Sequence, residues 1–142
     1  WFENRLPGAV FTGFQKGVDL GRAVASMDML FNPSVTETFG NVTLEAMACG
    51  LPTVAARATG SESLVTEGVT GRLIRPGAIS AFADALQYYC VDTAARAAAG
   101  QAAQRRAERN GWDQVNQALV DTYLRVIRQR AQGLAPRSSP VP

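Results

Sequence analysis

Two glutamates eight positions apart, Glu37 and Glu45, lie within the segment Asn32 to Pro52 (NPSVTETFGNVTLEAMACGLP), where the residue types of this 142-residue sequence can do chemistry. A carboxylate beside a carbon that develops positive charge stabilises a transition state more than a ground state. A carboxylate's two acceptor oxygens also suit an adjacent diol, of which a ribose is the natural example. Between the two glutamates, Phe39, Gly40, Asn41, Val42 and Thr43 fall where a polar loop gives way to a helix. Unpaired N–H groups there, with the helix dipole behind them, suit a phosphate. Gly40 lets a ligand approach the backbone and tolerates a positive φ. Glu45 falls about one turn inside the helix and Glu37 before the turn, so the spacing directs them to opposite sides of a bound phosphate. For either glutamate alone, an exposed loop or capping charge is the ordinary alternative.

That chemistry needs a scaffold, and the sequence reads as α/β. Four short apolar runs, Ala9 to Phe14, Met29 to Ser34, Pro52 to Arg57 and Gly71 to Arg75, alternate with helical pieces in the pattern of βαβ units around a parallel sheet. A first helix over about Val18 to Ser26 places Leu20, Val24 and Met27 on one side. A second, over about Asn41 to Cys49, does the same with Val42, Leu44, Met47 and Ala48 before Gly50-Leu51-Pro52 stops it. Thr59-Gly60-Ser61-Glu62 reads as a capping box for a third helix. Beyond Pro76 the pattern is helical: Phe82, Leu86 and Tyr89 form a stripe suited to packing on the sheet. Asp92 is placed to cap a helix running to about Arg109, and a last helix runs from Trp112 to about Arg130 with Val115, Leu119, Tyr123 and Ile127 as a core-type face. Residues 132–142, rich in proline and serine, read as a disordered tail after a folded unit over 1–131.

Composition excludes several alternatives. The chain has no histidine and no Cys-x-x-Cys, so it cannot by itself build a histidine triad or a zinc finger, and its chemistry calls for no metal and no cofactor. Cys49 and Cys90 read as free thiols of a reducing, cytoplasmic protein, Cys49 as a small buried residue. No apolar run approaches the roughly 20 residues of a membrane span. Residues 1–93 carry six basic and nine acidic side chains, and 94–142 carry eight and three. The arginines lie along helical pattern without interleaved aromatics, which reads as a solvated face with no nucleic-acid partner. The same basic half is compatible with peripheral contact to the anionic inner face of a membrane.

The segment Glu37-Thr-Phe-Gly-Asn-Val-Thr-Leu-Glu45 resembles the E-x7-E motif of retaining glycosyltransferases built from two Rossmann-like domains, the GT-B architecture of the group 1, family 4 type. Around it, Val10 to Phe14, Asp28 to Ser34, Leu44 to Ala48, Gly50-Leu51-Pro52, Gly60 with Glu62, Gly68-x-x-Gly71 and Gly111-Trp112-Asp113 fall in that family's order, covering residues 5–131. The resemblance implies a partial Rossmann-like parallel sheet with flanking helices, the C-terminal half of a donor-binding domain truncated at its N-terminus. It implies a nucleotide-diphosphate sugar as donor, either a UDP- or a GDP-sugar, and a glycan, lipid or small molecule as acceptor. Glu37 would be the catalytic group at the anomeric carbon and Glu45 the ribose ligand. The backbone of Phe39, Gly40, Asn41, Val42 and Thr43 would cradle the sugar and distal phosphate.

In such proteins two further strands, their diphosphate-binding basic residues and an acceptor domain come first, so the resemblance makes this chain a fragment, inactive alone. Arg57 and Lys16 are the nearest substitutes for the diphosphate partners and match no motif. The expected strand order 3-2-1-4-5-6 leaves Ala9 to Phe14 without neighbours and Met29 to Ser34 as an edge open to self-association. The alternatives are a non-catalytic nucleotide-sugar-binding module and a nucleotide-sugar 2-epimerase, whose usual histidine in this segment is lacking.

Overall fold

The computed structural model describes residues 2–36 and 38–133, except the side chains of Thr59 and Trp112. In chain order the elements are α1 (Gly17–Ala25), β1 (Leu30–Asn32), α2 (Asn41–Ala48), β2 (Thr53–Ala56), α3 (Thr59–Leu64), β3 (Gly71–Ile74), α4 (Ile79–Val91), α5 (Thr93–Ala107), a 3-10 turn (Glu108–Asn110) and α6 (Trp112–Ala131). The three strands form a parallel sheet in the order β1-β2-β3, with Leu30 opposite Thr53 and Thr53 opposite Gly71. β2 is central and buried along its length, as a strand covered on both faces must be. On one face Val54 and Ala56 meet Phe82, Ala85 and Tyr89 of α4 and Ala99 of α5. On the other, Ala55 and Leu73 meet Val65 at the end of α3. The predicted Phe82, Leu86 and Tyr89 stripe therefore packs as expected.

The strand expected at Ala9 to Phe14 does not form. This stretch has no ladder, and Val10 and Phe14 are 85% and 90% exposed. The reason lies in the order of such a sheet: this strand borders only strands that the described residues do not supply, and an isolated strand has no partners for its N–H and C=O groups. β1 is correspondingly an edge. Its Phe31 is half-exposed, with its ring edge-on to Phe82 at 5.6 Å. Pro33, which cannot donate to a ladder, ends the strand.

Three local expectations shift. α3 starts one residue earlier than a Thr59 capping box requires, with extended Ala58 as its N-cap. α2 buries Thr43, Ala46 and Met47, whereas Val42 and Ala48 are exposed. In α1, Leu20 and Val24 are half-buried and no residue is fully covered, while Met27 lies beyond the end of α1 and is exposed. Asp92 caps α5 as expected, its Oδ1 accepting from Ala95 N–H at 2.8 Å. The expected 132–142 tail lies outside the described residues from 134 onward.

Helix α5 fixes α2 against the body by small residues. Ala103 and Ala107 pack on Met47 and Leu64, and a Cβ built on Gly100 would stand 2.1 Å from the Gly50 carbonyl oxygen. Only glycine permits that approach. Gln104 Nε2 adds a hydrogen bond to the Ala48 carbonyl at 3.4 Å. Helix α6, by contrast, carries its apolar stripe largely uncovered, with Tyr123 60% exposed, so the expected core role for this face is not met within the described residues. No helix among the described residues is long and apolar enough to cross a membrane.

Candidate functional site

The site grows from the carboxyl end of β1. Asn32 closes the strand with a half-buried amide that works in two directions: Nδ2 donates to Thr43 Oγ1 at 3.4 Å and Oδ1 accepts from Ser34 N–H at 3.3 Å. The strand end is thus tied to the first turn of α2 across the intervening loop. Thr43 is fully buried, and its side chain serves this tie.

Gly40 opens α2 in the left-handed region at φ 92°, ψ 44°, a conformation that side-chain-bearing residues adopt only at a cost. The first helical hydrogen bond runs from Leu44 N–H to the Gly40 carbonyl at 2.9 Å. The N–H groups of Asn41, Val42 and Thr43 precede it and have no acceptor within the helix. α2 contains no acidic residue in its first turn, so no carboxylate of its own occupies that end. This end of α2 lies at the carboxyl edge of the sheet, and helix N-termini carry unpaired N–H groups and the positive end of the helix dipole.

Phe39, Asn41 and Glu45 come together, with Leu44, around a concavity of about 370 Å³ whose far wall is Asn110 and Val115. Glu45 is exposed, and among the described residues no lysine or arginine forms an ion pair with it. It also borders a second concavity of about 370 Å³, between α1 and α2, with Gly17, Leu20, Gly21, Val24, Ala48 and Cys49. Val42 is exposed and borders neither. Glu37 lies outside the described residues. Cys49 is a half-buried free thiol rather than a fully buried one, and Cys90 is free and exposed.

Arg57 is engaged elsewhere. Its guanidinium meets Glu62 and Glu67 at 3.7 Å each and donates to the Leu73 carbonyl at 3.3 Å. Glu67 in turn accepts from Leu73 N–H at 2.6 Å and pairs with Arg72 at 3.4 Å. These bonds hold α3 and β3 together and draw Arg57 away from a diphosphate role. Among the described residues no group of three His, Cys, Asp or Glu side chains is arranged to hold a metal ion.

Sequence reasoning missed Asn32, Asn110 and Val115. Asn32 carried a signal, a polar residue ending an apolar strand run. Asn110 lies just past the helix expected to end near Arg109, and its return to the mouth of α2, some 70 positions away in sequence, is a product of tertiary packing.

A parallel sheet flanked by helices, with a glycine-opened helix and a carboxylate one turn inside it at the carboxyl edge, defines a partial Rossmann-like α/β unit. Residues 2–92 match the glycosyl transferases group 1 family, and the chain belongs to it. It is 42% identical over 107 residues to the sulfoquinovosyl transferase SQD2 of Arabidopsis thaliana, covering 73% of this chain and 21% of that protein. It is 43% identical over 91 residues to the D-inositol 3-phosphate glycosyltransferase of Kribbella flavida, covering 64% and 22% respectively. Among solved structures, HepE of Anabaena in complex with UDP-glucose superimposes with a TM-score of 0.76 at 34% identity, over 85% of this chain and 34% of that one. Sucrose-phosphate synthase of Thermosynechococcus elongatus does so with a TM-score of 0.77 at 27% identity, over 89% and 32%. The fold is therefore that of the GT-B glycosyltransferases, and the chain spans about a fifth of the length of these curated relatives.

Proposed function

We propose that this chain supplies the nucleotide-sugar donor site of a retaining glycosyltransferase, which moves a sugar from a UDP- or GDP-sugar to a glycan, lipid or small-molecule acceptor. In this reading the N–H groups at the start of α2 receive the distal phosphate, Glu45 accepts hydrogen bonds from the ribose diol, and the backbone from Phe39 to Thr43 lines the sugar. Glu37 is the carboxylate that stabilises the positive charge developing at the anomeric carbon as the leaving diphosphate departs. The acceptor and the counter-charge for the diphosphate come from an accompanying acceptor-binding domain and further strands, since Arg57 is committed to Glu62 and Glu67. Sugar transfer therefore requires more than these 142 residues.

The observation that carries this reading is the geometry of α2: a left-handed Gly40 cap, three N–H groups before the first helical bond, and an exposed Glu45 one turn further on. The UDP-glucose held by HepE, a structure of the same fold, agrees in ligand class. An amide-resolved NMR titration with UDP tests it. Shifts should concentrate on Gly40 to Glu45, and Glu45→Ala should weaken binding about tenfold, the value of a hydrogen-bonding charged group. Shifts scattered away from α2, or an unchanged affinity in Glu45→Ala, would sink the assignment. So would sugar transfer catalysed by the 142-residue chain alone.

A further inference from the structure

We infer that Glu67, with Arg57 beside it, is an edge plug: the two side chains occupy free backbone groups of β3 and close that side of the sheet to strand addition by a second copy of this chain. The inference stands independently of the donor-site reading. β3 pairs with β2 on one side only. The carbonyls of Thr70 and Ile74 point inward, accepting from Thr53 N–H at 3.4 Å and Arg57 N–H at 2.7 Å. Because backbone groups alternate in direction along a strand, those of Gly71 and Leu73 point away from β2, toward the edge. An edge of this kind is a template for pairing with another chain.

Three of these outward groups are occupied. A turn closed by Thr66, whose carbonyl accepts from Val69 and Thr70 N–H at 3.0 Å each, folds the preceding segment back along β3. There Gly68 N–H donates to the Gly71 carbonyl at 2.9 Å. Further along, Glu67 Oε2 accepts from Leu73 N–H at 2.6 Å, and a terminal nitrogen of Arg57 donates to the Leu73 carbonyl at 3.3 Å. The same Oε2 lies 3.7 Å from Arg57, and Oε1 lies 3.4 Å from Arg72. The carboxylate is therefore held from both sides while it covers the Leu73 amide.

An incoming strand would have to displace both groups at once, its carbonyl taking the place of Glu67 and its N–H the place of Arg57. That breaks a hydrogen bond to a charged group and leaves the carboxylate beside a carbonyl oxygen that repels it. Charged side chains turned onto a free edge are a known way of blocking such pairing. The opposite edge is built differently: among the described residues no side chain bonds to the backbone of Phe31, at the centre of β1. The order 3-2-1-4-5-6 gives the reason, since β3 takes its last place and keeps a free edge when further strands extend the sheet beyond β1.

Amide hydrogen exchange of the 142-residue chain, read residue by residue by NMR at low and at high protein concentration, tests the plug. In wild type the Leu73 amide should exchange slowly and at a rate independent of concentration. In Glu67→Ala it should exchange about tenfold faster at low concentration, the worth of a hydrogen bond to a charged group, and slow again at high concentration as a second copy pairs along β3. Glu67→Gln keeps an acceptor without the charge, so its Leu73 amide should speed up by only about threefold, with the same dependence on concentration. Protection at Val54 in the centre of β2 identifies which variants remain folded. Leu73 exchange equal to wild type in a folded variant, or faster exchange that ignores concentration, overturns the inference. So does a wild-type Leu73 amide whose exchange slows as concentration rises, because the edge would then be open with Glu67 in place.

Discussion

Tyr89 and Tyr123 stand in the same kind of sequence context, each on a helical apolar stripe, yet Tyr89 is 2% exposed and Tyr123 60%. Tyr89 closes the α4 face onto Val54 and Ala56 of β2, whereas the stripe of α6 around Tyr123 has little of the described chain against it. The lesson is that periodicity identifies which side of a helix is apolar and leaves open what covers it. The body around β2, α2, α4 and α5 is where stability resides. Residues 9–14, α1 and α6 flank it with surfaces whose removal should cost little.

The sharpest way to break that contrast is truncation of the two tyrosines. Tyr89→Ala should destabilise the chain by about 4 kcal/mol, the range for deleting a buried aromatic. Tyr123→Ala should change stability by less than about 0.5 kcal/mol, as surface substitutions do. Urea unfolding of both variants settles the comparison, and equal losses would mean that α6 is covered in solution.

Next in size is Gly100→Ala. Its new methyl has no room against the Gly50 carbonyl, and overpacking of this kind costs about 3 kcal/mol. Because α5 braces α2, UDP binding should weaken along with the melting temperature. A stable variant with wild-type binding would show that α5 can yield without disturbing the site.

Asn32→Ala should cost about 1 kcal/mol through loss of its bonds to Thr43 and Ser34. It should also raise the UDP dissociation constant well below the denaturation temperature, where the folded fraction is unchanged. If binding stays intact in a folded Asn32→Ala chain, the link from strand to helix is merely structural.

The smallest effect is in alkali. Burial pushes the Tyr89 phenol above its ordinary value of 10.0, with Arg72 opposing and Tyr88 and Glu67 adding to the shift. The unfolded chain therefore loses this proton at lower pH than the folded one. The stabilisation is complete below pH 10 and is lost as pH rises through the folded-state value. Denaturation midpoints measured from pH 9 upward should fall more steeply in wild type than in Tyr89→Phe.

The candidate site was partly legible in the sequence. The E-x7-E spacing, the glycine before the helix and the proline-bounded strand are local features, and a local feature is fixed by residues a few positions apart. They located α2, its cap and Glu45, and the resemblance to a family followed from the same residues. The Val42 and Ala48 face was misassigned because α2 is approached by α5 as well as the sheet, which moves the buried side to Thr43, Ala46 and Met47. The Ala9 to Phe14 strand was misassigned because strand propensity is realised only where a neighbouring strand supplies hydrogen bonds.

By itself the sequence determined the α/β class, the parallel βαβ order, the helix-capping aspartate Asp92 and the family resemblance carried by the Glu37 to Glu45 segment, because backbone propensities, capping groups and motif spacing act over short range. Tertiary structure alone decided that Asn32 ties β1 to α2, that Arg57 is consumed by Glu62 and Glu67, and that Asn110 faces Glu45. Each depends on distances between residues far apart in sequence, which are set by how helices pack on the sheet.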